Sequence, residues 1–272
     1  MGTSQSKPAL GGGKPLVPSW GDQDPAPPTD PADPQAPVDG APPAAQPAPP
    51  PIDLLPSRPL SGTRRALRDY YGSGDQGDAR RAGGRFARSV GAGGARRYAR
   101  ATRTGGAALA AFARAASGLD PIPGTLDLRS LAGRPVEEAI AEIVDAFCPP
   151  GILDEEATRL AIGEALYEAI GDADIFAPDA INDVALVIAT RCFVAELVFA
   201  SLAAEAGKAA DSVSPAVAVA RENGLRDLIR EVTDLVGTPI LQNAGALLTP
   251  QAVEGVVAQV TDAVLAEMRQ WE

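Results

Sequence analysis

Histidine is absent from all 272 residues, and cysteine occurs only at positions 148 and 192. Without histidine there is no Cys/His zinc spacing and no imidazole to activate a serine or cysteine nucleophile. General acid-base chemistry would fall to carboxylates or lysines with shifted pKa values. Cys148 and Cys192 each stand in an apolar, helix-like context, so they read as core thiols rather than a disulfide framework. No stretch keeps up the apolar-polar alternation of a half-buried strand. A basic segment followed by an apolar one is missing from the first twenty residues, which gives no secretory signal. The most apolar stretch, 184–203, carries Arg191 and Glu196 near its middle, a poor fit to a membrane span and a good one to a buried helix. These absences point away from a catalyst, a metalloprotein and a membrane protein, and toward an all-α protein of the cytosol that requires neither metal nor cofactor.

Proline is abundant but confined: 17 of the 26 prolines fall in the first 60 residues. A segment so rich in proline and poor in large apolar side chains cannot offset its ordering entropy by burial, which predicts a disordered tail over 1–57. Charge is partitioned as well. Residues 1–57 hold 2 Lys and 6 Asp, net -4; residues 58–118 hold 13 Arg and 3 Asp, net +10; residues 119–272 hold 9 basic and 26 acidic residues, net -17. The whole-chain charge of -11 conceals an arginine block between acidic flanks. Three regions follow: a Gly/Pro-rich tail (1–57), a basic Arg/Gly-rich helical region (58–118) and an acidic α-helical domain (119–272).

Helix signals are sharpest in the third region. Pro135 with Glu137 and Glu138 opens a helix whose inner face carries Val136, Ile140, Ile143, Val144 and Phe147. Asp154 is placed to cap the next, with Leu160, Leu166 and Ile170 directed inward. Pro178 is expected to start a long apolar helix running to about Glu205. Ser214-Pro215 and Thr249-Pro250 repeat a hydroxyl cap before proline. The stripes that follow are Leu225, Leu228, Ile229, Val232 and Leu235, then Val253, Val257, Val260, Val264 and Met268. Upstream, a short helix is expected from Ser61, with Leu67 and Tyr70 or Tyr71 inward and a Gly-Ser-Gly stop. Phe86, Tyr98 and Phe112 could anchor two more around the glycines at 91, 93 and 94. Glycines at 83, 84, 105 and 106 weaken local preference, so this region should be ordered by packing or by a partner. The expectation is a helical bundle of five clear helices and about three weaker ones behind the tail.

Several motif matches fail on inspection. ALGGGKP has Pro8 and Pro15 where a phosphate loop needs glycine and a hydroxyl. GAGGARR has no strand-turn-helix setting. Asp154, Glu155 and Glu156 are accounted for by capping and the helix dipole. Glu164, Glu168 and Asp172 share a helix face, but nothing supplies the remaining ligands of a di-iron bundle. The arginine block leaves two readings open. Arg80, Arg81, Arg85, Arg88, Arg96, Arg97, Arg100 and Arg103 could bind nucleic acid through phosphates. Alternatively they neutralise the protein's own acidic helices or dock on an acidic partner. Arginine in place of lysine favours geometrically defined contacts.

Removal of Met1 would expose Gly2 as a free α-amine, with a pKa of roughly 7.7–8.0 against about 10.4 for lysine. An appreciable fraction is then a nucleophile near neutral pH, and a residue without a Cβ can enter a narrow site. Met1-Gly2-Thr3-Ser4-Gln5-Ser6 also fits the myristoylation pattern. One acyl chain binds membranes only marginally, however, and the second signal is missing: nearby are Lys7 and Lys14 and no cysteine. Thr3, Ser4, the triplet Gly11-Gly12-Gly13, and Leu16 and Trp20 between prolines form a candidate docking peptide.

Met1-Gly2-Thr3-Ser4, the glycine cluster with PLVPSW, the proline tail, the Arg/Gly stretch RRYARATRTGG and the segment PPGILDEEATRLAIGEAL together resemble the QatB family. Its members belong to the four-gene Qat anti-phage defence systems of bacteria. The resemblance implies partners: a QueC-like enzyme (QatC) as the direct one, with a P-loop ATPase (QatA) and a TatD-like nuclease (QatD). QueC-type enzymes activate a carboxy-deazaguanine with ATP and normally pass it to ammonia. Related defence systems are similar in joining the deazaguanine to a protein N-terminus. The position here that matches is Gly2, and the resemblance implies that the chain is a non-catalytic substrate or adaptor. The tail would then be a tether, since about 40 residues of polyproline form reach on the order of 100 Å at about 3.1 Å per residue.

Overall fold

A computed structural model describes residues 60–91, 94–150, 155–244 and 248–271. The proline tail, Gly2, Thr3, Ser4, Gly11, Gly12, Gly13, Leu16 and Trp20 lie outside the described residues. Nine α-helices are described: α1 Ser61–Ser73, α2 Gln76–Val90, α3 Ala99–Ala116, α4 Val136–Phe147, α5 Glu156–Ile170, α6 Asp183–Ala203, α7 Lys208–Asp211, α8 Pro215–Asn243 and α9 Pro250–Met268. Single 3-10 turns stand before α3, α4 and α6, at Gly94–Tyr98, Leu128–Leu131 and Pro178–Ala180. Among the described residues there is no strand, and the fold is all-α as the periodicities require. An isolated bridge between Pro135 and Ile175 ties the start of α4 to the α5–α6 connection. Val136 N–H donates to Asp174 (3.0 Å) and Phe176 N–H to Arg134 (2.8 Å).

α6 lies at the centre, packed on α5, α8, α3 and α9. It is long and apolar enough by length and composition to cross a membrane, yet Phe193, Val194, Val198 and Leu202 are buried in the core. α3 pairs with α9, and α1 with α2. One continuous apolar cluster runs from Ala66 in α1 to Met268 in α9, so the arginine-bearing helices share their core with the acidic ones.

Local chemistry sets most boundaries. Gly74, left-handed at φ 73°, ends α1, and the Asp75 carboxylate then caps α2 by accepting from the Gly77 and Asp78 amides. Thr249 caps α9 through the Ala252 amide. Ser214 takes the equivalent place before Pro215 without a side-chain cap, so at α8 the proline acts through its fixed φ alone.

Glycine placement explains how α2 and α3 hold together against their low propensity. A Cβ on Gly105 would collide with the Phe193 ring, one on Gly84 with the Trp271 carbonyl, and one on Gly106 would come within 3.1 Å of the Glu254 amide nitrogen. The missing side chains let α3 settle against α6 and α9, and α2 against the chain's last turn. Close packing offsets the propensity cost. Phe86, Tyr98 and Phe112 are buried, the anchoring role expected of them.

Three expectations need correction. Leu160 is 61 % exposed, because the inward face of α5 is Thr158, Ala161, Ile162, Ala165 and Leu166. Leu235 is 69 % exposed. Ten residues after Leu225 it has rotated about 80° away from the buried line through Ile229 and Val232. The long helix begins at Asp183 rather than Pro178, because the Asn182 side chain accepts from the Ala185 amide and caps it there. The expected Asp154 cap lies outside the described residues.

Candidate functional site

The eight arginines singled out by the sequence are distributed over α2, the 3-10 turn after it and the first turns of α3, and most are engaged with the protein's own groups. Arg81 pairs with Asp78 at 2.5 Å across one helical turn. Arg85 reaches the Gly62 carbonyl at 3.4 Å. Arg88 donates to the Arg269 and Trp271 carbonyls, at 2.8 and 3.0 Å, where cations are favoured at the C-terminal end of α9. Arg100 pairs with Glu155, and Arg103 stands 3.9 Å from Glu254. The Arg97 guanidinium lies over the Phe86 ring at 6.0 Å, within cation-π range. Arg80 and Arg96 are exposed and have no ionic partner among the described residues.

Pairs such as Arg100–Glu155 and Arg103–Glu254 join residues far apart in the chain. No local pattern announces them, and sequence reading missed Glu155 and Glu254 as partners. A nearby block repeats the theme: Arg64 of α1 pairs with Glu205 at 2.9 Å. Arginines in these pairs remain largely exposed, so each pair is worth little in stability. Together they place acidic groups of α5, α9 and the α6–α7 junction beside the basic block.

A more buried charge cluster joins α5, α6 and α8. The Glu196 side chain is 7 % exposed and takes Arg226 at 3.2 Å and Arg230 at 3.1 Å. Arg226 also covers the Phe199 ring at 4.4 Å. Arg230 donates to the Cys192 sulfur at 3.7 Å and lies 3.7 Å from Glu168. Burial pushes the Cys192 thiol up to about 12, with Arg230 acting the other way. Burial likewise raises Cys148, assisted by the Glu155 charge. Both thiols are free and buried, so neither is a thiolate nucleophile near neutral pH. Among the described residues no group of three or more His, Cys, Asp or Glu side chains is placed to hold a metal ion.

Most of the core that carries these features, from the end of α2 onward, falls within a family signature. A family model described as "QatB: Qat anti-phage system associated protein QatB" matches residues 91–266, more than half the chain. The chain belongs to the QatB family. It is therefore a component of an anti-phage defence system, and the other Qat components are its partners. The family is described by its association with the defence system and not as an enzyme family. Its matched span takes in α3 to α8, all but the last two residues of α9, and Arg96, Arg97, Arg100 and Arg103 of the basic block. Searches of curated proteins and of solved structures gave no match.

Proposed function

We propose that this QatB-family chain is a non-catalytic substrate and adaptor in its defence system, conjugated by the QueC-like partner to a deazaguanine at the α-amine of Gly2. The observation that carries the proposal is the family match, joined to a Met1-Gly2 pair ahead of a proline-rich segment. The chemistry is a simple acyl transfer. The partner uses ATP to convert the carboxy-deazaguanine to an acyl adenylate, releasing pyrophosphate. The Gly2 amine attacks the acyl carbon, an amide bond forms, AMP leaves, and the amine's surplus proton passes to solvent. The free amine is needed in its neutral form, which a terminal amine supplies near neutral pH far better than lysine. Buried high-pKa thiols in the body support a protein that offers its terminus rather than a nucleophile of its own.

Nucleic-acid binding through the arginine block is the second reading, and Arg80 and Arg96, exposed and without an ionic partner among the described residues, favour it. Engagement of Arg81, Arg85, Arg88, Arg100 and Arg103 within the protein supports the intramolecular role instead.

Gly2→Leu tests the main proposal, because a bulky second residue retains Met1 and buries the amine behind a side chain. The expected outcome in a phage-challenge assay with the complete gene set is loss of protection at unchanged helical content. Full protection by the Gly2→Leu variant contradicts it.

A further inference from the structure

An open groove of about 590 Å³ runs between α4 and α5. The two helices form a hairpin, with the end of α4 tied to the start of α5 by the Asp145–Arg159 pair at 2.5 Å. The groove is lined by positions 137, 140, 141, 144 and 145 of α4 and by 156, 159, 160, 163, 164 and 167 of α5, the three- and four-residue steps of one face on each helix. Ile140 and Val144 form its buried floor. Leu160 and Tyr167 stand about two turns apart on α5 and are 61 % and 53 % exposed. Large apolar side chains left open along a groove mark a place that another surface covers.

Gly163 lies between those two on the same face. A Cβ there would meet only Val144 Cγ2, at an ordinary 3.9 Å, so the packing of α4 on α5 does not require glycine as α3 requires it at Gly105. Inside a helix, glycine costs about 1 kcal/mol relative to alanine. What the missing side chain provides here is depth, for a neighbour that approaches the α5 backbone closely.

The rim sets the charge of that neighbour. Glu137, Asp145, Glu156 and Glu164 border the groove against one cation, Arg159, which is already engaged by Asp145 and Glu156. Glu137 and Glu164 have no ionic partner among the described residues. A nucleic acid or an acidic helix would be repelled there, and a neutral one would cover two carboxylates without pairing them. A second copy of the chain fits poorly, because its basic helices α1 to α3 present no exposed large apolar side chain. From Glu156 to Tyr167 the groove is about 16 Å long at 1.5 Å per residue, room for about three turns of helix.

We infer that the α4–α5 groove docks a basic amphipathic helix of another component of the defence system. The apolar stripe of that helix lies over Gly163 between Leu160 and Tyr167, and its Lys or Arg side chains face Glu137 and Glu164. The inference does not rest on modification of Gly2, and Gly2→Leu should leave the docking unchanged.

The test uses the full chain co-expressed with the other components of its gene set, with Tyr167 replaced by photo-reactive p-benzoylphenylalanine and the cross-linked peptide sequenced by mass spectrometry. The expected adduct is one segment of one other component, rich in Lys and Arg, with apolar residues three and four apart. A synthetic peptide of that segment should bind the full-length chain saturably, and more weakly as salt rises. Leu160→Ala, Gly163→Leu and Glu164→Lys should each weaken it by about tenfold, whereas Leu235→Ala, at an exposed apolar residue outside the groove, should not. Gly163→Leu discriminates best: a glycine kept for the fold alone would lower the melting temperature when replaced, but here that temperature should hold or rise while binding falls. No adduct, an adduct within the chain or to a second copy, or a segment lacking that charge and spacing overturns the inference. So does an affinity that Gly163→Leu leaves unchanged.

Discussion

At Glu196 a carboxylate in the core of an apolar helix is stabilised by two arginines from α8, and the neighbouring Cys192 thiol is forced to stay protonated. Glu196 is the buried member and its arginines are about a third exposed, so an amide there forfeits two charge-assisted hydrogen bonds while the arginines keep access to water. Glu196→Gln should therefore lower stability by about 2 kcal/mol, read as a shift in the denaturant midpoint at unchanged slope. Cys192 gives a pH signature. Its folded pKa of about 12 lies above the unfolded value of about 8.5, so the unfolded chain loses the proton first. Its contribution is fully present below about pH 8.5 and is lost as pH rises toward 12. Stability should fall across that window, and Cys192→Ala should flatten the fall. Below that window, at pH 8, the native protein is expected to resist a thiol reagent and to react at both cysteines once denatured. Rapid native labelling of either would contradict the burial described.

Helix α3 shows what a sequence conveys and what it conceals. Its arginines, alanines and paired glycines read as a weak helix awaiting order from elsewhere, and that order comes from Phe193 and Glu254 meeting glycines 105 and 106. Gly105→Val should cost on the order of 1–3 kcal/mol by overpacking, seen as a lower melting temperature, whereas Leu160→Glu and Leu235→Glu should change it little. The five downstream helices were legible because caps, prolines and apolar stripes are local. Mispointing Leu160 and Leu235 arose from counting apolar residues along the chain while the helix rotated them off the buried face. The short α7 carries four residues, too few for any periodicity. The Arg100–Glu155 and Arg103–Glu254 pairs were invisible for a further reason: their members belong to separate elements that only the fold brings together.

Over the whole molecule, a +10 arginine region and a -17 acidic region fold around one core and pair across it. With that pairing in place, a gel-shift titration on duplex DNA is expected to show no complex at physiological salt. A complex that weakens steeply as salt rises would instead assign the arginine block to phosphate backbones. Family membership places the chain in a defence system, and the finer account turns on one atom, the Gly2 nitrogen. The most direct measurement is the intact mass of the protein purified from cells carrying the full gene set, followed by fragmentation of its N-terminal peptide. The account predicts loss of Met1 and addition of one deazaguanine acyl group confined to Gly2, absent when the QueC-like partner is deleted. An unmodified Gly2 in a system that protects against phage would contradict it.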